Sequence, residues 1–148
     1  MRHAYLDTVL LIERLHRYYL EVVKIDLDRR NIQDINNVQA LILFNIGEDE
    51  MTVGELTVRG YYLGSNVSYN VKKMTENNYI LQEKSPHDKR SIRVKLSEKG
   101  LVLHKMLKEQ FDRQIASLSP ATLAEADLTP LNESLRKLER FWTSLMKY

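Results

Sequence analysis

Apolar residues recur at spacings of three and four from the start of the chain: Leu11, Leu15, Tyr18, Val22 and Ile25. With Glu13, Arg17, Glu21 and Lys24 falling between them, this pattern predicts an amphipathic helix from Tyr5 to about Asp28. Asn31 to Asp34 interrupts it. A second helix is predicted over Asn37 to Ile46, made largely buried by Val38, Leu41, Ile42 and Phe44 and stopped by Gly47. Thr52-Val-Gly-Glu55 fits a reciprocal cap: the threonine oxygen accepts a helical N–H and the glutamate reaches back. The short helix it opens runs to about Tyr62. Ser65 is the expected N-cap of a fourth helix, Asn66 to Asn77, whose apolar stripe is Val67, Val71 and Met74. Asn78 suits the left-handed exit such a helix needs.

The period then changes to two. Ile92, Val94 and Leu96 alternate with Arg93, Lys95 and Ser97, so Ser91–Leu96 and Tyr79–Lys84 are predicted strands. Ser-Pro-His-Asp-Lys-Arg between them holds turn formers and charge. Ser97 is the expected cap of a helix from Glu98 to about Leu118. Ser119-Pro120 reads as another helix start, and Thr129-Pro130 as a kink or break near residue 128. Beyond it Leu131, Leu135, Leu138, Trp142 and Leu145 share one side. The expected fold is mostly α with a small β-hairpin: a winged helix-turn-helix flanked by long N- and C-terminal helices.

Composition changes this picture little, but charge does. The 148 residues carry a net charge of only +2. Between Arg59 and Lys99, however, nine basic residues face four acidic ones, giving +5 and leaving −3 for the rest. Positive charge is concentrated where the helix and hairpin lie, as attraction to phosphate requires. An ordinary solvated face would have the same charges. There is no Cys, which excludes disulfides, thiolate metal sites and cysteine redox chemistry. No apolar run is long enough to span a membrane, and the first twenty residues, carrying Glu13, Arg14, His16 and Arg17, do not read as a signal peptide. A cytoplasmic protein is expected. The four histidines stand in no metal-ligand motif, and no phosphate loop, nucleophile elbow or paired catalytic acids occur, so no cofactor, metal or enzymatic activity is expected.

Burying Val67, Val71 and Met74 turns Ser65, Asn66, Ser68, Tyr69, Lys72, Lys73 and Glu76 outward. Amide, hydroxyl and ammonium groups of this kind can meet base edges and phosphates in a major groove. In the hairpin tip, Lys89 and Arg90 can reach the backbone and a narrow minor groove. Asp88 can hold the Arg90 guanidinium, or the two form only a turn-stabilising pair.

The helix, the hairpin, Asp88-Lys89-Arg90 and the exit Leu96-Ser97-x-x-Gly100 resemble the MarR family of bacterial winged-helix transcription regulators. The resemblance covers most of the chain. It departs at Asn78, where the family commonly has Gly, and at Tyr69, where many members carry a basic residue. It implies one domain over 1–148, with a DNA-binding lobe at 37–100 and dimerisation helices at 1–30 and 101–148. It also implies a homodimer on a pseudo-palindromic operator, more often a repressor, with Leu11, Leu15, Leu135, Leu138, Trp142 and Leu145 at the dimer interface. Members often bind a small phenolic or other aromatic effector between these helices and the lobe. Arg14, His16, Tyr18, Tyr19 and Phe44 are the residues here that could line such a cleft, although aromatic residues at this spacing also serve as plain core. The alternative function is a winged-helix protein-interaction module that does not bind DNA.

Overall fold

The computed structural model describes residues 1–60, 64–84 and 91–146. Among the described residues, six helices and three strands follow in the order α1 (Arg2–Arg29), α2 (Asn37–Ile46), β1 (Met51–Thr52), α3 (Val53–Gly60), α4 (Gly64–Glu76), β2 (Ile80–Lys84), β3 (Ile92–Leu96), α5 (Glu98–Ser117) and α6 (Glu125–Leu145). The chain divides into two compact units, Met1–Lys108 and Glu109–Tyr148.

In the first unit, α2, α3 and α4 surround a core closed by the sheet. Ile42, Leu43 and Ile46 of α2, Leu56 of α3, and Val67, Val71 and Met74 of α4 are all buried, with Ile80, Val94 and Leu96 from the strands. Burial of each such side chain contributes roughly 1.5–3 kcal/mol. From α1 only Val23 and Leu27, with Asp26, are buried. Leu11, Leu15, Tyr18, Val22 and Ile25, the stripe read from periodicity, are exposed. In α2 the buried face is Ala40, Ile42, Leu43 and Ile46. Val38, expected inside, is exposed.

The hairpin pairs Ile80 with Leu96 through to Lys84 with Ile92. A third strand joins it: Met51 and Thr52 pair with Val94 and Arg93, so the sheet order is β1-β3-β2. Periodicity does not predict this strand, because two residues are too few to show a period. The Thr52 cap is made as read: Glu55 N–H donates to Thr52 Oγ1 at 3.0 Å, and Thr52 N–H to Glu55 Oε2 at 3.4 Å. Gly60 ends the described part of α3, and Tyr61 and Tyr62 lie outside the described residues. Asn78 has φ 69°, the left-handed value expected of it. Ser97 Oγ accepts the Gly100 N–H at 3.1 Å, the predicted cap of α5.

Other expectations are corrected or fall outside the described residues. α4 is described from Gly64, and the capping role read for the Ser65 side chain lies outside the described residues. Ser119-Pro120 does not start a helix. Ser119 O accepts from Thr122 and Leu123 N–H, and its Oγ from Ala121, which closes a single turn. The second unit's helix starts at Glu125, where Asp127 reaches back to the Ala124 N–H at 2.9 Å. That helix runs through Pro130, so of the kink or break expected near residue 128 the break is absent. Proline at the sixth helical position removes the donor that would meet the Ala126 carbonyl and crowds that carbonyl with its ring, and the helix continues past both.

Candidate nucleic-acid interface

The seating of α4 follows from its sequence. Val67, Val71 and Met74 lock one face into the core, so the opposite face must meet solvent. Asn66, Ser68 and Lys72 are exposed there. Tyr69 is 60% exposed and Lys73 half-buried. The Lys73 ammonium lies 5.9 Å from the Tyr69 ring centroid and 3.5 Å from Glu76. These predicted reading residues therefore share one surface. The Ser65 side chain, and Asp88, Lys89 and Arg90, lie outside the described residues.

Side-chain hydrogen bonds clamp the helix at several points. Gln82 of β2 donates to Thr75 Oγ1 at 2.9 Å, and Asn77 donates to the Asp34 carbonyl at 3.0 Å. Gln39, buried at the start of α2, donates to Asn70 Oδ1 at 3.1 Å. Below the helix exit, Asp34 accepts from the Tyr79 hydroxyl and from Lys99 Nζ at 2.6 Å. Lys99 also donates to the Asn77 carbonyl at 2.9 Å and stands 4.3 Å from the Tyr79 ring centroid. Burial pushes the Asp34 carboxyl upward. The Lys99 and Tyr79 hydrogen bonds and the Lys99 charge outweigh it, and hold the group below the usual carboxylate range. This node ties the loop after α1, the end of α4 and the start of α5 together.

The basic excess read from the sequence is smaller in three dimensions. Arg59 pairs with Asp49 at 3.0 Å, Arg93 with Glu50 at 3.3 Å, and Lys99 with Asp34. All three acids lie outside the 59–99 window. Among the described residues Lys72, Lys84 and Lys95 make no ion pair, so they remain the lysines of this stretch available to phosphate.

Sequence reasoning misses Asp34, Gln39 and Asn70. Asn36-x-x-Gln39 does carry a cap signature that would have placed Gln39 at a helix start. The contacts to Asp34 and Asn70 span 31 to 65 positions and leave no local trace.

Leu11 and Leu15 of α1 are exposed, and so are Leu135 and Leu145 of α6, while Leu138 and Trp142 are half-buried. Arg14, His16 and Tyr18 face solvent, whereas Tyr19 and Phe44 pack against the core edge, where burial raises the Tyr19 hydroxyl. Phe44 stacks on His104 with ring centroids 5.1 Å apart. Burial and the nearby Lys108 lower the His104 imidazole, against a smaller upward pull from Glu48. Two described clefts, of about 320 and 280 Å³, are lined by other residues of the first unit. Among the described residues no group of three or more His, Asp or Glu could hold a metal, and no helix is long and apolar enough to cross a membrane.

Residues 35–100 match a family described as winged helix DNA-binding domain. The chain is 35% identical over 145 residues to the Exopolysaccharide II synthesis transcriptional activator ExpG of Rhizobium meliloti (strain 1021). That match covers 98% of this chain and 75% of the relative. The fold is similar to that of AbsC, a MarR family transcriptional regulator from Streptomyces coelicolor, with TM-score 0.76 and 21% identity over 96% of this chain and 94% of the other. It is also similar to Streptococcus pneumoniae FabT, solved in complex with DNA, with TM-score 0.75 and 17% identity over 95% and 99% of the two chains.

Proposed function

From the premise that this chain belongs to the MarR family of winged-helix, DNA-binding transcription regulators, we propose that it works in the cytoplasm as a homodimer on a pseudo-palindromic duplex site. Residues 37–100 form the lobe that binds DNA. Each subunit lays α4 in a major groove, with Asn66, Ser68, Tyr69, Lys72 and Lys73 toward bases and phosphates and Ser65 at the helix start. Lys89 and Arg90 of the hairpin tip reach the flanking minor groove, with Asp88 orienting the arginine. The observation that carries this reading is the seating of α4: three buried apolar residues on one face and a continuous polar face opposite.

A single reading helix covers few base pairs. Two-fold symmetry spaces two of them one helical turn apart, about 34 Å, and doubles the contact. The segments 1–30 and 101–148 supply the dimer surface, supported by the exposed leucines of α1 and α6. A small aromatic effector acts by favouring one spacing of the reading helices over another. Arg14, His16, Tyr18, Tyr19 and Phe44 are the residues proposed to meet it.

The test is selection of bound duplexes from a random pool. Enrichment of an inverted repeat supports the proposal. Failure to enrich or shift any duplex at low ionic strength overturns it and leaves a protein-interaction module. A promoter–reporter fusion carrying the selected site then reads the sign of regulation, because the same contacts repress or activate according to where the site lies.

A further inference from the structure

A chain of hydrogen bonds fixes which end of the Asn70 amide faces outward. It starts at the Asn36 backbone N–H, which can only donate, and does so to Gln39 Oε1 at 3.2 Å. With its oxygen engaged there, Gln39 turns its Nε2 to Asn70 and donates to Oδ1 at 3.1 Å. The Gln39 N–H in turn donates to Asn36 Oδ1 at 2.8 Å, so the buried glutamine is held at both ends of a reciprocal cap. The polarity of a backbone group is passed through one side chain to the next. Asn70 is only half-buried, and its Nδ2 has no partner among the described residues.

Asn70 lies on α4 one turn from both Asn66 and Lys73, on the flank bordering the 280 Å³ cleft that Gln39, Lys73 and Asn77 line. We propose that Asn70 is a further DNA-contacting residue, a donor-only amide aimed by Gln39 at a hydrogen-bond acceptor on the duplex. The inference rests on the DNA-binding reading above. An unconstrained asparagine can pair with adenine through oxygen and nitrogen together. With its oxygen held, Asn70 instead suits an acceptor: guanine N7 or O6, thymine O4, or a phosphate oxygen. Gln39 is the positioning residue, and it reaches DNA only through Asn70.

Two variants of the full chain test this. In Gln39→Glu the carboxylate still accepts the Asn36 N–H, as glutamate does at this position of a cap, but cannot donate. Asn70 then turns over, giving Nδ2 to that carboxylate and presenting Oδ1 to the duplex. Asn70→Ala removes the donor and leaves the Asn36–Gln39 cap intact. Each is compared with the wild type by duplex selection and by affinity for the wild-type site, with circular dichroism confirming the fold. Both variants are expected to lose about tenfold in affinity, the equivalent of one hydrogen bond with its partner left unmet. A change of preference at one symmetry-related pair of positions identifies a base edge. A uniform loss across sequences identifies a phosphate. Wild-type behaviour of Asn70→Ala overturns the assignment, whatever Gln39→Glu does. Loss in Asn70→Ala with wild-type behaviour of Gln39→Glu overturns the fixed orientation. A wild-type protein that binds no duplex overturns the DNA-binding reading itself, a result distinct from either.

Discussion

The Tyr79 carbonyl oxygen lies closer to where a Cβ on Gly100 would stand than any real side chain tolerates. The same carbonyl accepts the Ser97 N–H at 3.0 Å, so it cannot move aside without opening the junction between hairpin and α5. Gly100→Ala gains helix propensity but forces this contact apart and also crowds Leu96 Cβ, 3.1 Å from the added carbon. A net loss of about 2 kcal/mol is expected, read as a fall in melting temperature of about 5 °C. An unchanged melting temperature would show that α5 shifts freely.

Asp34 predicts a pH dependence. Its carboxyl lies below the usual range in the folded chain despite burial, because Lys99 and Tyr79 favour the charged form. The unfolded chain titrates near the ordinary value, about 4. The stabilisation is therefore complete above about pH 4 and is lost as pH falls through the lower folded value. Both partners are nearly half exposed, so it amounts to less than about 1 kcal/mol. Urea unfolding of wild type and Asp34→Asn should show a gap that is constant from neutral pH down to about 5 and narrows below about 4. A gap independent of pH would assign the effect to packing instead.

What was legible in the sequence was whatever a local period or cap could encode. The α4 stripe, the β3 alternation, the Thr52–Glu55 box and the left-handed Asn78 all stand where they were read. Periodicity also finds the α1 stripe, but cannot tell a face turned to the core from one left exposed. It therefore misses the core side of α1, Val23 and Leu27. The Ser-Pro signal, and the break read at Thr-Pro, mislead because proline restricts one residue, whereas a helix is decided by every turn around it. The polar clamps on α4 are out of reach, since Asp34 meets Tyr79 and Lys99 across 45 and 65 positions. Charge counting errs for the same reason, because acids outside the window neutralise part of the basic stretch.

Met74 and Lys72 separate seating from reading. Met74 is buried, and Met74→Ala should cost about 2–5 kcal/mol of stability and abolish DNA binding by loosening the helix. Lys72 is exposed and makes no ion pair among the described residues. Lys72→Ala should leave the melting temperature unchanged, weaken binding to all sequences alike, and lower the salt slope by about 1 per subunit. An unaltered slope would remove Lys72 from the phosphate contacts.

Leu15 and Leu135 test the dimer. They are large apolar residues, 59% and 38% exposed, on stripes that run the length of their helices. Exposed apolar stripes of this length mark surfaces that bind a partner. Glutamate at either position puts a charge where burial would have to strip its water, which costs several times what a leucine gains. Leu15→Glu and Leu135→Glu are therefore expected to sediment at the 17.4 kDa of one chain, and the wild type at twice that mass. Val58→Glu is the control, since Val58 is 80% exposed on α3 and belongs to neither stripe. Its sedimentation should match the wild type. Because paired half-sites need paired subunits, the two leucine variants should also lose the inverted repeat from their selected duplexes. A wild type that sediments as one chain, or leucine variants that remain paired, would place the partner surface elsewhere.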